Sequence, residues 1–235
     1  MGYEATVANE ARLWKQKLLR KPSLFERTSK KAQTKMNQFI PEKIHITITE
    51  SIKKMVEATL IGSNMTTFPK KIEGVAFEQR EQMVQKAMNR YKKTAAVEGA
   101  STGAGGILLG MADFPLFLGI KMKFLFEVAS IYGYNTKEYE ERLFLLLVFQ
   151  LAFSSDKHKE YLVDIIENWD TKKEEVKDLD WRVFQQEYRD YIDLVKLMQI
   201  LPGVGAVVGG VANYQLVHHL GQYAMNCYRL RVLGS

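Results

Sequence analysis

The arrangement in this sequence that carries the residue types of a nucleophilic site is Gly99-Ala100-Ser101-Thr102-Gly103, a G-x-S-x-G pattern with His218 and His219 downstream. Such chemistry needs the serine on a sharp strand-to-helix turn and a histidine to take its proton. The residues before it, Gln85 to Glu98, have helical spacing, and the chain lacks the alternating strands of that fold, so a hydrolase is the weaker expectation. The same glycines fail as a phosphate cradle. No Gly-Lys-Ser/Thr follows them, and position 108 is Leu where the dinucleotide fingerprint needs Gly; Gly203-Val204-Gly205 fails in the same way. Metal binding has little support: there is no His-Glu-x-x-His, and the four histidines are His45, His158 and the adjacent His218 and His219, which point apart on a helix. Neither a metal nor a cofactor is expected. Cys227 is the single cysteine, which excludes an internal disulfide and a four-cysteine zinc site and suits a reducing compartment.

Two polar residues stand in apolar surroundings, Asp113 and Asn213. With Ser101 and His218 they would line a shared pocket if the segments that carry them meet. Asp113-Phe114-Pro115 equally fits a helix N-cap followed by proline in the first turn, and that is the stronger reading. A buried Asn213 must find partners.

The elements that must position these residues are helices. Spacing predicts helices over 4–20 and 23–39, separated near Pro22. Another runs over 42–61, opened after Pro41 by Glu42 and ended by Gly62-Ser63-Asn64, although Ile44 to Thr49 alternates like a strand. A loop with Pro69 and Gly74 precedes a charged helix over 77–98, with Met83, Ala87, Met88 and Tyr91 on its inner side. A helix to Ile131 stops at Tyr132-Gly133-Tyr134-Asn135, where Gly133 is a natural C-cap. The next helix has the apolar body Leu143 to Phe153. Residues 156–193 are acidic, with twelve Asp/Glu against seven Lys/Arg, and Trp169, Trp181, Tyr188 and Tyr191 would anchor them.

Nine of the 16 glycines fall in Gly99–Gly110 and Gly203–Gly210, so these two apolar segments need a common reason. Gly99 and Gly103, Gly106 and Gly110, and Gly205 and Gly209 are each four apart, and with Gly210 they make tracks along which another backbone can approach closely. The two segments are natural partners for each other. Residues 197–228 hold no charge, and Leu197 to Val217 is long enough to cross a bilayer, but Pro202, its glycines and its amides favour a buried hairpin. The mean hydropathy of −0.20 agrees.

Charge gives a further clue. Residues 1–43 carry ten Lys/Arg against four Glu, which is the whole net charge of +6, while the remainder holds 23 of each sign. Arg12, Trp14, Lys15, Lys17, Leu18, Arg20, Lys21, Lys30 and Lys31 make this arm basic and amphipathic. Such an arm can lie on anionic lipid or pack its apolar side on its own domain. No nucleic-acid signature accompanies it, so no nucleic-acid partner is expected. The start lacks the apolar core of a signal peptide, and Met1-Gly2 with Thr6 matches the myristoylation pattern only loosely.

Taken together, Gly99 to Gly106, Ala112-Asp113-Phe114-Pro115, Tyr132-Gly133-Tyr134-Asn135 and Leu201-Pro202-Gly203-Val204-Gly205-Ala206 with Gly209-Gly210 and Ala212-Asn213 resemble the EcsC family of bacteria, named for a gene beside those of an ABC transporter. The resemblance covers roughly residues 80 to 231 and is specific only as a set. It implies a mostly helical protein made in the cytoplasm, with a role beside the transporter, and it supplies no catalytic residue.

We therefore expect an all-α, multi-helix domain over 41–235 with the two glycine-rich segments packed centrally and a basic helical arm over 1–40. The expected function is that of a non-enzymatic accessory protein, peripheral on the anionic cytoplasmic face of the membrane, with an ABC transporter as partner. The alternative is a small-molecule or lipid-binding, hydrolase-like enzyme using the Ser101, Asp113, Asn213 and His218 pocket.

Overall fold

A computed structural model describes residues 2–20, 42–62, 72–104, 114–153, 156–176 and 205–234. The described residues are all-α, with no strand among them. The helices are α1 (Tyr3–Leu19), α2 (Glu42–Ile61), α3 (Phe77–Ala104), α4 (Phe114–Tyr132), α5 (Tyr139–Phe153), α6 (Asp156–Glu167), α7 (Trp169–Lys172), continued by a 3-10 turn over Lys173–Val176, and α8 (Gly205–Leu233). The expectations for 23–39, for Lys21, Lys30 and Lys31, for Gly106, Gly110 and Asp113, and for Trp181, Tyr188 and Tyr191 lie outside the described residues.

The alternating run at Ile44 is helical because Ile52, Met55 and Val56 continue it with helical spacing and bury one face, while Lys53, Lys54 and Glu57 stay exposed. Gly62 ends α2 with φ +74° and its N–H donating to the Ala58 carbonyl (2.9 Å), a conformation that a side chain would strain. Gly133 ends α4 with φ +102°. Its N–H reaches the Ala129 and Ser130 carbonyls at 3.0 and 3.2 Å, and the Tyr134 N–H reaches Ala129 at 3.0 Å, a Schellman arrangement that satisfies carbonyls the helix would leave bare.

The core sits around α5, where every residue from Leu143 to Phe153 is buried. A helix apolar on all sides has nowhere to go but the interior. α4 and α6 lie against it, α4 burying Phe114, Phe117, Phe124 and Phe126 and α6 burying Leu162, Val163, Ile165 and Ile166. The largest contact is between α3 and α8. These two helices, each about 42 Å long at 1.5 Å per residue, run antiparallel in a single register: Glu81 meets Arg229, Gln85 meets Met225, Met88 meets Gly221, Lys92 meets Tyr214, and Gly99 meets Gly209. α3 runs on through Gly99 and Gly103 to Ala104, six residues beyond the predicted end. Residues 205–217 of the long uncharged run form the first half of α8, with Leu216 and Val217 buried. Among the described residues, no helix is long and apolar enough to cross a membrane.

Candidate functional site

α1 lies along α8 and touches α6 and α3, so the first part of the arm is built onto the helical body. Val7 and Ala11 are buried, Trp14 packs edge-on against Tyr223 with ring centres 5.1 Å apart, and Leu18 packs beside it on the core. Lys15 is pinned by the Glu167 carboxylate at 2.6 Å. The apolar face a bilayer would take is thus used within the domain. Outward, α1 and the residue that follows it present Arg12, Lys17 and Arg20, all exposed, with the Arg12 guanidinium donating to the Asn9 side-chain oxygen (2.8 Å). A cleft of about 350 Å³ opens between α1 and the end of α8; of the three cations lining it, Lys15 and Arg229 are held by Glu167 and by Glu81 and Glu10, while Arg12 stands at its edge.

The residues expected to share a pocket are not gathered. Ser101 is exposed and donates back to the Glu98 carbonyl of its own helix (2.7 Å). Asn213 is buried and donates to the Glu98 carboxylate across the helix pair (2.6 Å), which supplies a partner its burial demands. His218 falls in register near Lys92 rather than Ser101. That separates the two by about nine residues along α3, roughly 13 Å, beyond any proton transfer between them. The His218 ring is half-buried, with Nδ1 lacking a hydrogen bond among the described residues, and burial together with the nearby Lys92 charge lowers its pKa. His219 turns the other way: its Nε2–H donates to the Ala152 carbonyl (2.7 Å), and burial lowers its pKa too.

The glycines sit where backbones touch. A Cβ on Gly99 would stand 2.5 Å from the Gly209 carbonyl oxygen, and one on Gly210 would stand 3.0 Å from the Ala96 carbonyl oxygen. Gly205 opens α8 and Gly103 lies in the last turn of α3. Gly221, not singled out in the sequence, makes room for the Met88 thioether.

Two buried carboxylates were also missed. Glu81 accepts from Nε and Nη2 of Arg229 (2.6 and 2.7 Å), from Tyr3 (2.7 Å) and from Tyr132 (3.0 Å), tying four helices together. Burial would raise its pKa, but the hydrogen bonds from Arg229 and Tyr3 outweigh it and hold the carboxylate below its ordinary value. Burial and Glu81 together push Tyr3 up to about 12. Glu141 accepts from Tyr228 (2.5 Å) and Arg231 (2.7 Å), but its deeper burial wins and raises its pKa. The Arg231 guanidinium lies 3.9 Å from the Tyr134 ring centre and 4.4 Å from that of Phe144, a cation stacked in an aromatic wall. The sequence marks only the partners of these two carboxylates: Arg229 and Arg231 are the first charges after the uncharged run 197–228. Lys121 is fully buried, with its ammonium 4.2 Å from the ring centres of Phe117 and Phe153. Among the described residues, no three His, Cys, Asp or Glu stand where they could hold a metal ion. These groups lock helices to one another; tyrosines with raised pKa values are neutral donors at pH 7, suited to structure.

The sequence model of the EcsC protein family matches residues 5–233. Protein EcsC of Bacillus subtilis (strain 168) is 58% identical over 227 residues, covering 97% of this chain and 95% of that protein. The uncharacterized protein YdbA of the same organism is 31% identical over 179 residues, 70% of this chain and 66% of its own. No solved structure matches the chain.

Proposed function

The chain belongs to the EcsC protein family, and from that premise we propose that it is a non-enzymatic accessory protein that docks peripherally on the anionic cytoplasmic face of the membrane. The observation that carries this reading is the placement of charge. The net +6 resides in residues 1–43, and α1, fastened by Trp14, Leu18 and Lys15, holds Arg12, Lys17 and Arg20 outward from a firm base. A helix that is already folded has no backbone to order on meeting headgroups, and each cation contributes about 1 kcal/mol near an anionic leaflet. Attachment is therefore electrostatic, with the apolar face of α1 keeping its place against Tyr223. The resemblance to a family named for a gene beside an ABC transporter makes that transporter the proposed protein partner.

Flotation of the purified protein with anionic and with neutral vesicles tests the reading. Flotation with anionic vesicles alone, lost in high salt, is the expected result. Equal flotation with both compositions would remove the electrostatic role.

A further inference from the structure

The outer face shared by α3 and α4 can be laid out from one contact. The Arg90 guanidinium meets the Glu127 carboxylate at 2.6 Å, which fixes the antiparallel register of the two helices on their solvent side. Seven residues are close to two helical turns, so Val97 on α3 and Ile120 on α4 lie on the same face, two turns nearer the end of the pair. One turn further stand Ser101 and Leu116. Val97 is 72% exposed and Leu116 57% exposed, while Ile120 is half-buried beneath them. Between this apolar end and the ion pair, Lys93 and Lys123 are both exposed.

The exposed charges nearest these side chains are Lys93 and Lys123; Lys92 and Lys121 are buried, and neither helix carries an acid from residue 82 to 97 or from residue 114 to 126. Glu127 is taken by Arg90, and Glu98 receives Asn213 from α8. An apolar end collared by lysines matches the depth profile of a bilayer surface, in which chains lie innermost and anionic headgroups above them.

We infer that the α3–α4 end is a second lipid contact, at which Val97 and Leu116 enter the interfacial layer of an anionic bilayer while Lys93 and Lys123 meet its headgroups. This rests on the peripheral docking proposed above and adds to it a point of shallow insertion distinct from the charges of α1. Substituting Val97→Glu or Leu116→Glu lowers partition onto anionic vesicles about tenfold each, since an apolar group that would leave water is replaced by a charge repelled by the lipid. Both positions are exposed, so neither change disturbs the core.

The test places an environment-sensitive fluorophore on the full chain at Val97→Cys, at Leu116→Cys and, as reference, at Glu57→Cys. The native Cys227 is fully buried and burial raises its thiol pKa, so labelling goes to the introduced residue. Glu57 lies near the end of α2, which Arg142 ties through the Leu60 carbonyl (2.9 Å) to the first turn of α5, at the opposite end of α4 from Leu116. With phosphatidylglycerol-containing vesicles, probes at 97 and 116 shift to the blue and are quenched by a lipid-borne nitroxide, while the probe at 57 does neither. Vesicle-bound protein whose 97 and 116 probes stay aqueous would overturn this contact and leave the role of α1 standing. Absence of any vesicle binding overturns both. Quenching at 97 and 116 that persists undiminished in R12E/K17E/R20E would uphold this contact and overturn the role of α1.

Discussion

The two ends of the α3–α8 pair are closed by opposite means. At Gly99, Gly209 and Gly210 the backbones meet because atoms are missing; at Glu81 and Arg229 they are joined because every donor and acceptor is present. One end tolerates no addition and the other no loss. A glycine contact makes a close approach without a charge to desolvate, whereas a buried ion cluster fixes direction and register but depends on each member.

Glu81→Ala should be the most damaging single change. It leaves the Arg229 guanidinium with the Glu10 carboxylate alone and takes the acceptor from the hydroxyls of Tyr3 and Tyr132, and removing one member of such a buried pair costs about 3–5 kcal/mol, readable as a lowered urea midpoint. The glycine end comes next. Gly99→Ala sets a Cβ against a backbone oxygen that cannot swing away, an overpacking cost of about 1–3 kcal/mol, partly offset by the better helix propensity of alanine. Gly221→Ala is its foil: the atom it meets is the end of a flexible Met88 side chain, so thermal unfolding should shift by less than for Gly99→Ala. Equal effects at Gly99 and Gly221 would mean that the backbones are not in contact.

Acid sharpens the comparison further. Glu81 has a folded pKa below its ordinary value of 4.5, so its contribution is present above pH 4.5 and is lost as pH falls through the folded value. Glu141 is shifted upward, so its contribution is present below 4.5 and is lost as pH rises through its folded value. Glu81→Gln should therefore lower stability at pH 7 more than Glu141→Gln does, and should flatten the acid limb of a stability-against-pH curve. Ser101→Ala, at an exposed serine bonded to its own helix, should leave stability within about 0.5 kcal/mol.

Much of the helical plan was legible in the sequence, because the spacing at Ile52, Met55 and Val56 and the punctuation at Gly62 and Gly133 are local signals. The close approach of Gly99 also had a local trace in its four-residue glycine spacing. Glu81 and Glu141 were not legible as buried acids, because an acid in the first turns of a helix looks solvated until its partner helix is known, and Arg229 and Arg231 lie 148 and 90 residues away. Trp14 shows the same limit: its face was clear, but whether lipid or Tyr223 would cover it was decided by tertiary packing. The Ser101 and His218 reading depended on register, which no local pattern encodes.

The central claim is that the outward charges of α1 hold the protein on anionic lipid. It is tested most directly by measuring partition onto anionic vesicles for the native chain and for R12E/K17E/R20E, whose exposed positions leave the fold intact. At about 1 kcal/mol per cation, the account predicts a loss of roughly hundredfold or more. Undiminished partition by the triple variant would contradict it.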